Sequence, residues 1–128
     1  MTPDLTYLVW AVALTIVQVL TASSGAMTQI ALPLLAGNRD TPLEGRGWVG
    51  RAQRAHRNML ESLVLFAALV LAAHGSGEAN ATTALGAALF FYSRLAYWVI
   101  YLAGIPWLRT AVWCVSIAGL VMILSQLI

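Results

Sequence analysis

The sequence predicts an all-α integral membrane protein, a four-helix bundle of up-and-down topology, and three observations carry that prediction. Hydrophobic residues make up 60 % of the 128-residue chain and charged residues only 9 %, against roughly 25 % charged residues in an ordinary soluble domain. Mean hydropathy is +0.80. The apolar residues gather into four stretches, each at or above the ~20 residues a helix needs to cross a bilayer. A chain so poor in charge cannot cover its own surface in water, which excludes a soluble globule, a disordered tail and a disulfide scaffold. The isoelectric point near 9.1 comes from seven arginines against five acids, a net +2. That excess is too small for an electrostatic footprint on nucleic acid.

The first span runs from about Leu5 to Leu35, the second from Gly50 to Ala73, the third from Glu78 to Ala103 and the fourth from Trp107 to Ile128. Together they make one domain, residues 1–128. No span alternates apolar with polar, and a membrane barrel needs at least eight shorter strands. Gly37-Asn38-Arg39-Asp40-Thr41-Pro42 closes the first span, His74-Gly75-Ser76-Gly77 the second and Gly104-Ile105-Pro106 the third. Pro33 bends or ends the first helix near its end. As one helix of roughly 31 residues, that span is about 46 Å long, so it tilts or projects beyond the hydrocarbon. Its polar middle, Gln18, Thr21, Ser23, Ser24, Gly25 and Gln29, reads as close helix packing around Ala22 and Ala26. The other reading has Gln18 or Gln29 facing a ligand.

Asp4 stands where a signal peptide needs a basic region, so the first span is expected to remain as an anchor. Arg39, Arg46, Arg51, Arg54 and Arg57 cluster in or just after the first connection, and Arg109 lies beside the third. The positive-inside rule then places those connections in the cytoplasm and both termini outside. Cys114 reads as a packing residue, His74 as a loop residue, His56 as structural, and Trp98, Trp107 and Trp113 as interface anchors or packing. No metal-ligand spacing, nucleophile elbow or phosphate loop is present.

The second span opens with charges that are expensive at such depth. Arg54, Asn58 and Glu61 fall at i, i+4 and i+7, one above another, with Arg51 a turn before them and Arg57 beside them. Glu61 is followed directly by the apolar run Leu63–Leu71, where a carboxylate costs on the order of 3 kcal/mol. One helix later Arg94, Tyr97 and Tyr101 share a face, at about the same depth, roughly 14 Å by helical rise. A buried Glu61–Arg94 pair is the simplest expectation. The bland alternative is that these charges only hold the bundle together, or that the arginines near Gly50 reach to the headgroups. A single bridge, however, leaves a surplus of buried cations, and an anionic ligand relieves it. Arginines suit carboxylates, Glu61 suits an ammonium, and Asn58 with the tyrosines suits peptide groups. A small zwitterionic peptide with excess carboxylate meets all three demands.

Arg54-Ala55-His56-Arg57-Asn58, Glu61, Phe66, then Arg94, Tyr97, Tyr101 and the stretch from Pro106 to Thr110 resemble the MAPEG superfamily, the membrane-associated proteins of eicosanoid and glutathione metabolism. The matching segment covers about half the chain, from Arg51 to Thr110. The resemblance implies a homotrimer with glutathione, as cosubstrate and without a metal, between neighbouring subunits near the cytoplasmic side. Positions matching Arg54, Asn58, Glu61, Tyr97 and Tyr101 hold glutathione in the leukotriene C4 synthase and microsomal prostaglandin E synthase branches. Arg94 matches an arginine lining the same cleft, and Arg51 and Arg57 flank the set. Arg109 resembles the arginine that stabilises the glutathione thiolate, which makes it the catalytic candidate.

The implied activity is that of a glutathione-dependent transferase or peroxidase acting on a lipophilic electrophile or hydroperoxide that arrives from the bilayer. Ser62 stands where the leukotriene branch has a tyrosine, and Trp113 where the prostaglandin branch has one. No first-span arginine sits at the spacing of the characterised enzymes, Arg39 being nearest. These departures bear on affinity before fold, and the chain looks closer to the bacterial branch, which implies a bacterial inner membrane. Two rivals belong to other classes. One is a non-catalytic membrane protein that binds glutathione or lipid. The other, a small multidrug transporter, needs an acid in the middle of its first span, and Leu5–Leu35 contains none.

Overall fold

The computed structural model describes residues 1–128 as five helices, four of them long and apolar enough to span a membrane. Helix α1 (Pro3–Gln29) begins on a Thr2 side-chain cap, with Pro3 in its first turn, where a missing N–H costs nothing. It ends at Ile30, and a five-residue α2 (Leu32–Ala36) follows across an extended Ile30-Ala31 link. The expected single first helix is therefore two. Pro33 has no N–H and its ring clashes with the carbonyl four residues back, so the chain restarts with proline in the new first turn.

Helix α3 (Trp48–Ser76) is longer than the sequence boundaries suggested, and His74 lies in its last turn rather than in a loop. Gly77 and Gly104 end α3 and α4 (Ala81–Ala103) in the left-handed conformation that glycine adopts without penalty. Asn80 opens α4 with a reciprocal capping box to Thr83. Helix α5 (Pro106–Ser125) starts on proline, like α1.

Side-chain contacts fix the register of each neighbouring pair and show the up-and-down order. Gly25 of α1 lies against Trp48 and Val49, where an added Cβ would meet ring and methyl atoms at 2.8 and 2.9 Å. The small-residue patch of α1 is thus a packing surface for α3, with Ala22, Gly25 and Ala26 all buried. Helices α4 and α5 cross at Gly86 and Gly119, where a Cβ on either would come within 2.6 Å of the other's carbonyl oxygen. Across α3 and α4 the pairing runs Arg51 with Leu102, Arg54 with Tyr101, Asn58 with Arg94, and Phe66 with Phe90.

The apolar core sits at and above this last pair. Phe66 and Phe90 stack with centroids 4.1 Å apart, packed among Met59, Val70, Leu120 and Ile123. Only 28 of 128 residues are buried, so most of the apolar surface faces outward, which suits a bilayer and no aqueous phase. Cys114 is part of that outward surface, which corrects its reading as a packing residue.

Candidate functional site

The α3–α4 register carries two polar stripes into contact just below the α2–α3 connection. Arg94 is 1 % exposed, and its Nη2 donates to Asn58 Oδ1 at 2.7 Å. Its guanidinium carbon lies 4.2 Å from the centre of the Tyr97 ring. The Tyr97 and Tyr101 rings meet edge to face, with centroids 5.5 Å apart. Arg109, one turn into α5, stacks over Tyr101 at 4.4 Å. Arg54 donates from Nε to the Tyr101 hydroxyl at 3.2 Å. Three guanidinium groups from three helices therefore surround one pair of phenols. Cation–π attraction of this kind is worth ~0.5–2 kcal/mol each, but it does not neutralise charge.

The expected Glu61–Arg94 bridge does not form. Asn58, three residues earlier on the same face, takes the hydrogen bond, and Glu61 is exposed on the single chain. The one ion pair in the protein joins Arg54 to Glu44, an acid of the α2–α3 loop. Two glutamines hold that loop in place. Gln53 accepts from Gly45 N at 2.7 Å and donates to Leu43 O at 3.4 Å, bracketing Glu44 on both sides. Gln29 exchanges the same two bonds with the Arg46 backbone, at 2.6 and 3.0 Å. Gln29 thus serves loop anchoring, while Gln18 lies buried within α1's packed face.

The remaining candidates lie elsewhere. Arg51 donates from Nε to Leu102 O at 3.1 Å and lies against Gly104, so it caps the C-terminus of α4. Arg57 faces away from Tyr101 and lines a cavity between α1 and α3, together with His56. Ser62 turns its hydroxyl back onto Met59 O at 3.1 Å, and Trp113 is half-exposed on α5. Sequence reasoning missed Glu44. Two acids occupy that connection, Asp40 and Glu44, and only the clamp by Gln53 singles out the second.

The MAPEG family profile matches residues 5–128, nearly the whole chain. The chain belongs to the MAPEG family. With four apolar helices of membrane length, this MAPEG protein is a multi-pass integral membrane protein of the glutathione and eicosanoid metabolism type. No curated protein and no solved structure matches it significantly. Family membership extends past the motif-bearing stretch to α1 and to the end of α5, so it covers every helix that lines the site.

Proposed function

We propose that this protein is a glutathione-dependent transferase or peroxidase acting on a lipophilic electrophile or hydroperoxide within the membrane. The observation that carries the reading is the convergence of Arg54, Arg94 and Arg109 on the Tyr97–Tyr101 pair, with Glu44 as their only bridged carboxylate. The residues present fit the tripeptide. Arg94 keeps Nε and Nη1 buried and unpartnered, and a buried donor without an acceptor is costly. Neither atom is open to solvent in the free chain, so a carboxylate or a peptide carbonyl satisfies them only as the α3–α4 seam opens to admit it.

In this reading Arg54, Arg94 and Asn58 hold carboxylate and peptide groups, Glu61 takes the ammonium, and the tyrosine hydroxyls fix the backbone. Glutathione supplies the sulfur nucleophile. Arg109, at the start of α5, places a fixed positive charge beside it. A guanidinium and a helix N-terminus both favour a thiolate over a thiol whose ordinary pKa is about 8.5. Arg51 and the Gln53 clamp keep the α3–α4 edge and the loop in register around these groups.

A homotrimer belongs to the same proposal. Glu61 is exposed on the single chain, and a carboxylate facing lipid is unfavourable by about 3 kcal/mol. A neighbouring subunit that covers this face, with ligand between, removes the penalty. On the same reading the arginine bias supports a site facing the cytoplasm, and the likeness to the bacterial branch supports a bacterial inner membrane. The test is calorimetric titration of glutathione and its S-methyl derivative into detergent-purified protein, with turnover of an aryl halide. Glu61→Gln should weaken binding, and Arg109→Ala should keep binding but lose most conjugation. Equal affinity in the first variant makes the stripe structural, and binding without turnover in the native protein leaves a non-catalytic glutathione binder.

A further inference from the structure

A cavity of about 630 Å3 is walled by α1, α2, the α2–α3 loop and α3, within the range typical of small-molecule sites. One wall is apolar, formed by Val19, Met27, Leu32 and Leu35. Met27 and Leu32 are each 63 % exposed, so that wall continues into the lipid-facing surface of the chain. The lining also carries two cations, Arg39 and Arg57, with His56 beside Arg57. The cavity's one carboxylate, Glu44, is already committed to Arg54. Arg39 and Arg57 have no carboxylate partner, and His56 Nδ1 is buried with no partner of any kind.

Arg39 is also held in an unusual way. It is the one non-glycine residue with positive φ, at 54°, a conformation that crowds a β-carbon. Its Nε donates to Leu35 O at 2.8 Å, which fixes the guanidinium plane and leaves both terminal nitrogens without a protein acceptor. The loop that carries Pro42, Leu43 and Glu44 over the cavity is pinned by Gln53 and Gln29. Strain held at a charged group, in a cavity whose roof is fixed, is the pattern of a ligand clamp.

We propose that this cavity binds an anionic phospholipid, its phosphodiester held by Arg39 and Arg57 beside His56, and its acyl chain lying along α1. Two unpaired guanidiniums beside a carboxylate already paired with Arg54 suit an anionic oxygen group, a phosphodiester among them. The lipid-continuous apolar wall selects a molecule that brings hydrocarbon with it, since a soluble anion would leave that wall wet. The cavity adjoins the Arg54 side of α3 and shares Glu44 and Gln53 with it, but the groups proposed to hold the phosphodiester, Arg39 and Arg57, do not touch the Tyr97–Tyr101 pair.

Native mass spectrometry on protein in neutral detergent tests it, with phosphatidylglycerol and phosphatidylcholine of identical chains and glycerol 3-phosphate as the soluble headgroup. Phosphatidylglycerol should be retained at least tenfold over phosphatidylcholine, with no adduct from glycerol 3-phosphate. The Arg39→Gln/Arg57→Gln protein should lose that preference. Arg39→Gly, which keeps the loop conformation while removing the charge, should lose most of it with the thermal midpoint intact. Equal retention of the two lipids overturns the proposal, as does a preference that survives both variants, or an adduct formed equally by the soluble headgroup.

Discussion

Arg94 and Asn58 form the one side-chain hydrogen bond between the deep parts of α3 and α4, at 2.7 Å, and it is the only one Arg94 makes. Removing the acceptor leaves a buried guanidinium held by the Tyr97 ring alone. Asn58→Ala should therefore destabilise the protein by about 2 kcal/mol, in the range for hydrogen bonds to charged groups. Arg94→Met removes the buried cation but leaves Asn58 Oδ1 without its donor, so it should cost about 1–2 kcal/mol. In the Arg94→Met background Asn58→Ala should then cost almost nothing. Unfolding in sodium dodecyl sulfate, followed by circular dichroism, gives all four corners of that cycle. An undiminished cost in the double variant would mean that Asn58 acts through packing.

Glu44 occupies Arg54 in the free chain, so on the proposed function it competes with an incoming carboxylate. The pair is roughly half exposed, 44 % and 46 % by side chain, and exposed pairs are worth about 0–1 kcal/mol. Glu44→Gln should accordingly tighten glutathione binding by no more than about fivefold, read by calorimetry. The effect should shrink as salt rises, because the competing pair is itself screened. Weaker binding in this variant would make Glu44 a ligand contact instead of a competitor.

The same two contacts mark how far the sequence could be read. Hydropathy alone locates the spans, because each must match the bilayer thickness. The spacing of Arg54, Asn58 and Glu61 against Arg94, Tyr97 and Tyr101 correctly predicts that α3 and α4 meet along those stripes. What spacing leaves open is which member of a stripe makes the bond. Asn58 and Glu61 differ by less than one turn, and the helix offset that favours Asn58 is set by packing at Phe66–Phe90 and by Arg51 on Leu102. The Glu44 contact was illegible for another reason. It depends on a loop path fixed by backbone bonds to Gln29 and Gln53, and no residue pattern in the loop encodes that path.

Gly86 and Gly119 set the spacing of α4 against α5, and α5 carries Arg109 to Tyr101. A Cβ at Gly86 would lie 2.6 Å from a backbone oxygen, which cannot rotate out of the way. Gly86→Ala should cost about 1–3 kcal/mol, as overpacking does. Gly75→Ala is the control, since nothing lies within 4 Å of its added Cβ. Near the end of α3 it should be neutral or stabilise by up to ~1 kcal/mol. Thermal midpoints in one detergent decide the matter, and equal shifts for both variants would remove the α4–α5 crossing as the cause.

Tyr101 has two separable attachments, a hydroxyl that accepts from Arg54 and a ring face under Arg109. Tyr101→Phe deletes the first and keeps the second. Affinity for glutathione should fall about three- to tenfold, the loss of one charge-assisted hydrogen bond that is only partly buried, while the maximal rate of conjugation stays within twofold. Tyr101→Leu deletes both. Without the ring, Arg109 loses a cation–π contact worth about 1 kcal/mol and the position it fixes, so the maximal rate should fall by at least tenfold more than in the phenylalanine variant. The pH at which the rate reaches half its plateau should move upward in Tyr101→Leu, because a displaced guanidinium holds the bound thiol in its ionised form less well. If the two variants share one rate and one pH profile, the ring does not position Arg109, and the stacking at 4.4 Å is packing without catalytic consequence.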